Sequence, residues 1–245
     1  MIGKLFQGKP PPAAAPAQVR LYAVGDIHGC AGLLDSLLEK INADAAGANR
    51  RLIFLGDYVD RGEDSRGVID RLLSIRDREP EAIFLKGNHE QAVLDFLCDP
   101  DRNEEWLHWG GDRTLASYGV DDIWNRTPAR LAAALKAKMP EDHLSFLRSL
   151  ELWRILGGYV FVHAGFRPGV AIGDQREEDC LWIRAEFHNA PPEGRPREVV
   201  VHGHHPVKKP QDYGWRIAVD TGAVWSDALT AVVLDGTTRR FISTR

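Results

Sequence analysis

A chain of 245 residues that is 44% hydrophobic can bury one substantial core, or two small ones, without disulfides or oligomerisation. Its formal net charge of -4 offers no general attraction to polyanions, so neither a nucleic-acid nor an anionic-membrane partner is expected. Cys30, Cys98 and Cys180 are odd in number and lack metal-ligand spacing, and no apolar run approaches a bilayer's thickness, which predicts a cytoplasmic protein with reduced thiols and no membrane span.

Gln7 to Gln18 are rich in proline and alanine with little to bury, predicting a flexible or extended leader over residues 1–18 rather than a signal peptide. One domain is expected over 19–245. Apolar runs at Val19 to Val24, Leu52 to Leu55 and Ala82 to Leu85 read as strands. Between and after them, Leu33 to Ile41, Val68 to Ile75 and the stretch through Ala92, Val93 and Phe96 have helical spacing, so the first half reads βαβαβ. Asp99 to Leu150 reads as a helical insert, broken at Gly110-Gly111 and Tyr118-Gly119, with Pro128 at a helix start. Strand signals return at Leu152 to Leu156, Tyr159 to Val162, Val199 to Val201, Ile217 to Val219 and Leu229 to Leu234. Asp174 to Asp179 and Ala190 to Arg197 read as exposed loops.

The strand runs end abruptly in glycine-containing clusters of polar residues, where α/β folds place their sites. These are Gly25-Asp26-Ile27-His28-Gly29, Gly56-Asp57-Tyr58-Val59-Asp60-Arg61-Gly62, Gly87-Asn88-His89-Glu90, His163-Ala164-Gly165 and Gly203-His204-His205-Pro206. Imidazole, carboxylate and amide oxygen together suit Mn, Fe or Zn better than Ca or Mg. Six such ligands fit two ions if one carboxylate bridges, and ions roughly 3.5–4 Å apart can hold a hydroxide and neutralise a phosphoryl group. Phosphate-ester hydrolysis also needs an acid for the leaving group and cations for the other oxygens; His89, Arg61 and Arg184 are available.

Each residue alone has a plainer reading. Asp-x-His is an ordinary turn, Asn88 a helix N-cap, Glu90 a first-turn carboxylate, His163 a core histidine and Arg61 or Arg184 an ion-pair partner. Five such endings in one chain outweigh those readings. Of His202, His204 and His205, His204 is favoured as the site residue, with His205 left open. His108, His143 and His188 have no flanking motif, and the tryptophans serve the core first, with Trp106 and Trp109 the candidates for a groove.

With these motifs, in this order and spacing, the chain resembles the phosphoprotein phosphatase family of calcineurin-like metallophosphoesterases, in particular its small bacterial and bacteriophage-type members. The resemblance implies a β-sandwich flanked by helices. It further implies Asp26, His28 and Asp57 on one metal ion and Asp57, Asn88, His163 and His204 on a second, most simply manganese, with Asp57 bridging. In the same pattern His89 protonates the leaving oxygen, Asp60 orients His89, and Arg61 and Arg184 hold the phosphate. His205 departs from the family, where threonine is common. The expected activity is that of a Ser/Thr-type phosphatase acting on a phosphorylated protein or peptide, without a phosphoenzyme. The alternative is a symmetrical bis(5'-nucleosyl)-tetraphosphatase. Related nucleotide hydrolases typically lack the acid at the position of Asp60 and carry Asp at that of Glu90, which favours the phosphoprotein reading.

Overall fold

Successive apolar residues along the short strands point to opposite faces, and that alternation sets the layering of the molecule. The computed structural model describes residues 12–245. Strands β1 (Arg20–Val24), β2 (Arg50–Phe54) and β3 (Ile83–Phe84) alternate with helices α1 (Ala31–Asp44), α2 (Ser65–Arg78) and α3 (Asn88–Cys98). The insert follows as a 3-10 turn at Glu104–Trp109 and helices α4 (Gly111–Ser117), α5 (Pro128–Lys138) and α6 (Glu141–Ser149). The second half supplies β4 (Trp153–Leu156), β5 (Tyr159–Val162), α7 (Glu177–Trp182), α8 (Ala185–His188), β6 (Val199–His202) and β7 (Gln211–Asp212). It ends with β8 (Arg216–Ala218), α9 (Ala223–Ser226), β9 (Thr230–Asp235) and β10 (Thr238–Ser243).

Two five-stranded mixed sheets result, ordered β10-β9-β1-β2-β3 and β4-β5-β6-β8-β7. Parallel strands β1, β2 and β3 form one side of the first sheet, and parallel β5, β6 and β8 the middle of the second. Leu21, Ala23, Ile53 and Leu55 face Phe161, Val201, Ile217 and Val219 in the core between the sheets. Tyr22, Val24, Leu52 and Phe54 turn the other way, beneath α1, α2, α3 and the insert. On the far side of the second sheet, Val160, Val162 and Val200 pack against Cys180 and Phe187. Both faces of each central strand are thus covered, which is why these runs are apolar throughout. The architecture is the helix-flanked β-sandwich expected. No helix among the described residues is long and apolar enough to cross a membrane.

One local expectation needs correction, and two features go beyond what the sequence predicts. Residues 1–11 lie outside the described residues, but Ala13 to Ala15 are docked: Ala15 N–H donates to Gly236 O at 2.8 Å and Gly158 N–H to Ala14 O at 2.8 Å. Asp174 to Asp179 is not an exposed loop throughout, because α7 begins at Glu177 and buries Asp179 against Arg167 Nη2 at 2.6 Å. Strand β10 went unread because Arg239 and Arg240 conceal its alternation. Their heads find carboxylates on Asp212 and Asp44, which lets a charged strand pair fully with β9.

Candidate metal centre

The parallel strands of both sheets deliver their C-terminal ends to one place. The turn after β1 carries Asp26 and His28, that after β2 carries Asp57, Asp60 and Arg61, and the first turn of α3, reached from β3, carries Asn88 and His89. From the other sheet, His163 follows β5 and His204 follows β6. Asp26, His28, Asp57, Asn88, His89, His163 and His204 are all buried. Their backbones are unusual as well. Eight described non-glycine residues have positive φ, and five of them are His28, Asp57, Asp60, Arg61 and His204. Left-handed backbone is costly for residues with a Cβ and concentrates where surrounding structure enforces a functional geometry. Gly87 shows how tight that enforcement is, since a Cβ there would stand 2.1 Å from Asp57 Oδ1.

The side chains form two groups that share Asp57. One ligand atom each from Asp57, His163 and His204 lie within 4.8 Å of one another, as do one each from His28, Asp57 and His89. Asp57 Oδ1 is 3.4 Å from His163 Nε2, and its Oδ2 is 3.4 Å from His28 Nε2. Asn88 Oδ1 is 3.0 Å from His163 Nε2 and 2.9 Å from His204 Nδ1. His28 Nδ1 meets Val59 O at 2.8 Å and His163 Nδ1 meets Leu55 O at 2.9 Å. Those backbone acceptors hold the ring protons on Nδ1 and leave the inward Nε2 atoms unprotonated. Burial pushes His28 down to about 3 and His204 to about 2, and lowers His163 also. Neutral imidazoles are the ligand form.

Asp26 stands apart from the two groups. It accepts from the His204 backbone N–H at 3.0 Å, and burial, then Asp220 and Asp57, raise its pKa well above the usual range. Three acids buried together, converging lone pairs on imidazole, amide and carboxylate, and few compensating cations make a donor set that fits divalent cations.

Around this centre sit the other expected residues. His89 Nδ1 meets Asp60 Oδ2 at 2.6 Å, and Asp60 also accepts from Trp106 Nε1 at 2.8 Å and Thr114 Oγ1 at 2.6 Å. Burial lowers the His89 pKa, but the charge of Asp57 and the hydrogen bond and charge of Asp60 reverse that and hold it above its ordinary value. Arg61 reaches His28 Nε2 and His89 Nε2, both at 2.7 Å, and Arg184 Nε donates to His204 Nε2 at 3.0 Å.

Glu90 has a structural task. Its carboxylate accepts from the backbone N–H groups of Gly87 at 2.9 Å, Asp57 at 2.8 Å, Tyr58 at 2.7 Å and Val59 at 3.3 Å. Burial first, then Asp57, push its pKa up to about 7 against those donors. Glu90→Ala strands several buried N–H groups, each costing about 1–3 kcal/mol, so it is expected to lower stability by more than about 3 kcal/mol. A urea midpoint equal to that of the unmodified protein would exclude this role.

Some site residues were not singled out in the sequence. Asp220 is buried and coupled electrostatically to Asp26, with burial pushing its pKa up to about 6. It ends the run Ile217 to Val219 in Asp220-Thr221-Gly222, the same strand-end signal that marked the other motifs. Thr114 and Trp106, which fix Asp60, carry no such strand-end signal, although Trp106 is a groove candidate and does line a recess. His205 is exposed and packs on His188 with ring centroids 4.7 Å apart, so of the two neighbours it is His204 that joins the centre. His143 is a buried partner of Tyr118 and Asp70, and His108 stacks on Trp124. The three cysteines are free thiols.

A family model described as calcineurin-like phosphoesterase matches residues 19–228. The asymmetrical bis(5'-nucleosyl)-tetraphosphatase PrpE of Anoxybacillus flavithermus is 29% identical over 233 residues, covering 85% of this chain and 88% of that protein. A symmetrical bis(5'-nucleosyl)-tetraphosphatase of Methylococcus capsulatus is 28% identical over 270 residues, covering 90% and 94%. Among solved structures, a candidate diadenosine tetraphosphatase superimposes with a TM-score of 0.64 at 22% identity, covering 95% of this chain and 98% of its own. At that identity the likeness bears on the fold.

Proposed function

The chain belongs to the calcineurin-like phosphoesterases, metal-dependent hydrolases, and from that premise we propose that it cleaves the phosphate chain of bis(5'-nucleosyl) tetraphosphates. The observation that carries this reading is similarity to enzymes of that description over 85% and 90% of the chain. The phosphoprotein reading rested on motif differences at Asp60 and Glu90, and both carboxylates are engaged within the protein. Asp60 is spent on His89, Trp106 and Thr114, and Glu90 on backbone N–H groups. Neither carboxylate is left over to meet a substrate.

Asp26, His28 and Asp57 would hold one divalent ion, and Asp57, Asn88, His163 and His204 a second, with manganese the first to test. Bound there, such ions neutralise phosphoryl charge and activate water for attack at phosphorus. The chain's own residues do the rest. Arg61 and Arg184, placed on either side of the imidazoles, offer guanidinium forks to the nonbridging oxygens. His89, whose pKa Asp57 and Asp60 raise, gives its proton to the departing oxygen as the bridging P–O bond breaks.

Asp60→Asn tests the proton assignment. His89 serves as an acid only below its pKa, and removing the Asp60 charge lowers that pKa. The alkaline limb of the pH–rate profile is therefore expected to begin at lower pH than in the unmodified enzyme. A limb that stays in place takes the acid role away from His89.

Substrate class is decided by comparing diadenosine tetraphosphate with a phosphoserine peptide, using protein stripped of metal and reloaded with manganese. Preference for the dinucleotide is expected, and its products, two ADP or ATP with AMP, distinguish symmetrical from asymmetrical cleavage. Preference for the peptide would reject the nucleotide reading.

A further inference from the structure

Beside the metal centre lies a recess of about 120 Å³, walled by Trp106, Trp109 and Trp182 and lined also by Asn88, Gln91 and Asp95. Asn88 belongs to the centre, and the Trp182 ring stands 6.2 Å from that of His204, so recess and centre are continuous. Trp109 and Trp182 meet edge to face with centroids 5.5 Å apart, yet 39% and 37% of their surfaces stay exposed. Adjacent indoles left open beside a reaction centre forgo apolar burial that a planar ligand restores. Trp106 differs, being buried with its N–H committed to Asp60; it serves as a wall.

We propose that Trp109 and Trp182 form the stacking platform for one nucleobase of the substrate, an inference that rests on the nucleotide reading of this site. Aromatic faces accept any base, because every base has a π-face. Asp95, steadied by Gln91 Nε2 at 2.8 Å, presents a carboxylate able to accept from an amino or ring N–H group on the base edge. The recess opens on the side of the centre occupied by Asn88 and His204, where a nucleoside joined to the phosphate chain can reach it. Trp225, also exposed, is not assigned to the platform. Its ring lies under the Arg61 guanidinium, 5.3 Å from centroid to Cζ, which makes it a positioning residue for Arg61.

The test uses ADP and pyrophosphate as competing inhibitors of p-nitrophenyl phosphate hydrolysis by manganese-loaded protein. Both carry a diphosphate, and only ADP carries a base. Trp109→Ala and Trp182→Ala are each expected to raise the ratio of ADP to pyrophosphate inhibition constants about tenfold, and the phenylalanine variants to restore most of it. ADP is also expected to quench intrinsic tryptophan fluorescence in the unmodified protein, less so in either alanine variant. Trp225→Ala weakens ADP and pyrophosphate alike. An unchanged ratio in both platform variants overturns the proposal, as does equal weakening of the two inhibitors. Should the protein hydrolyse p-nitrophenyl phosphate but no dinucleotide, the tetraphosphatase reading fails by itself. The inhibition ratio still decides whether a base stacks on these tryptophans.

Discussion

Asp57→Ala is expected to lose bound metal and activity together, with kcat/KM falling by at least about a thousandfold. Asp57 is the one side chain common to both ligand groups, its two oxygens each 3.4 Å from an imidazole Nε2 of a different group. It also accepts from the His89 backbone N–H at 3.1 Å, so its removal loosens the start of α3 as well. Burial opposes its charge, but the surrounding imidazoles of His163, His89, His28 and His204 hold its pKa well below the carboxylate range. Alanine tolerates this positive-φ position less well than aspartate, because it lacks the short polar side chain that can hydrogen-bond locally. Asp57→Asn is therefore the companion variant, since asparagine tolerates that backbone and keeps the shape while removing the charge. Metal content by elemental analysis, read beside circular dichroism, separates loss of ligand from loss of fold. A folded Asp57→Ala protein that keeps full turnover would end the two-metal reading.

How much of this was legible in the sequence depended on whether a residue's context repeats a rule. Asp26, His28, Asp57, Asn88, His163 and His204 each follow an apolar run and lie within two residues of a glycine, because strands must end where ligands converge and chains must turn closely there. That rule marked them, and it applies equally to Asp220-Thr221-Gly222, which is not among the motifs singled out. Thr114, Trp106, Trp109 and Trp182 obey no comparable rule. They reach the centre only because the insert and α7 fold back over it, a tertiary fact that helical periodicity does not encode. Strand β10 was hidden for a related reason, since Arg239 and Arg240 look like loop residues until Asp212 and Asp44 arrive from distant parts of the chain. Substrate class was read from motif differences at Asp60 and Glu90, yet their hydrogen bonds run to His89, Trp106, Thr114 and backbone N–H groups, so neither residue carries a physical signal of the substrate.

His89→Ala separates proton transfer from metal binding, and it is expected to keep the metal while losing about 10²–10⁴ in kcat on substrates with poor leaving groups. The asymmetry follows from where the ring is held. Its Nδ1 is fixed by Asp60 at 2.6 Å and its Nε2 points toward Arg61 beside the centre, whereas the ligand set proposed for the ions remains complete without it. An alkoxide leaving group needs a proton as the P–O bond breaks. A phosphate leaving group, with a second pKa near 6, needs it much less. Hydrolysis of a tetraphosphate should therefore suffer less from His89→Ala than hydrolysis of an alkyl phosphate. Across aryl phosphates of graded leaving-group pKa, the variant's rates should fall more steeply with increasing pKa than those of the unmodified enzyme. Parallel slopes would mean that His89 gives no proton to the leaving oxygen. Loss of metal in this variant would move it into the ligand set instead, as its place beside His28 and Asp57 also allows.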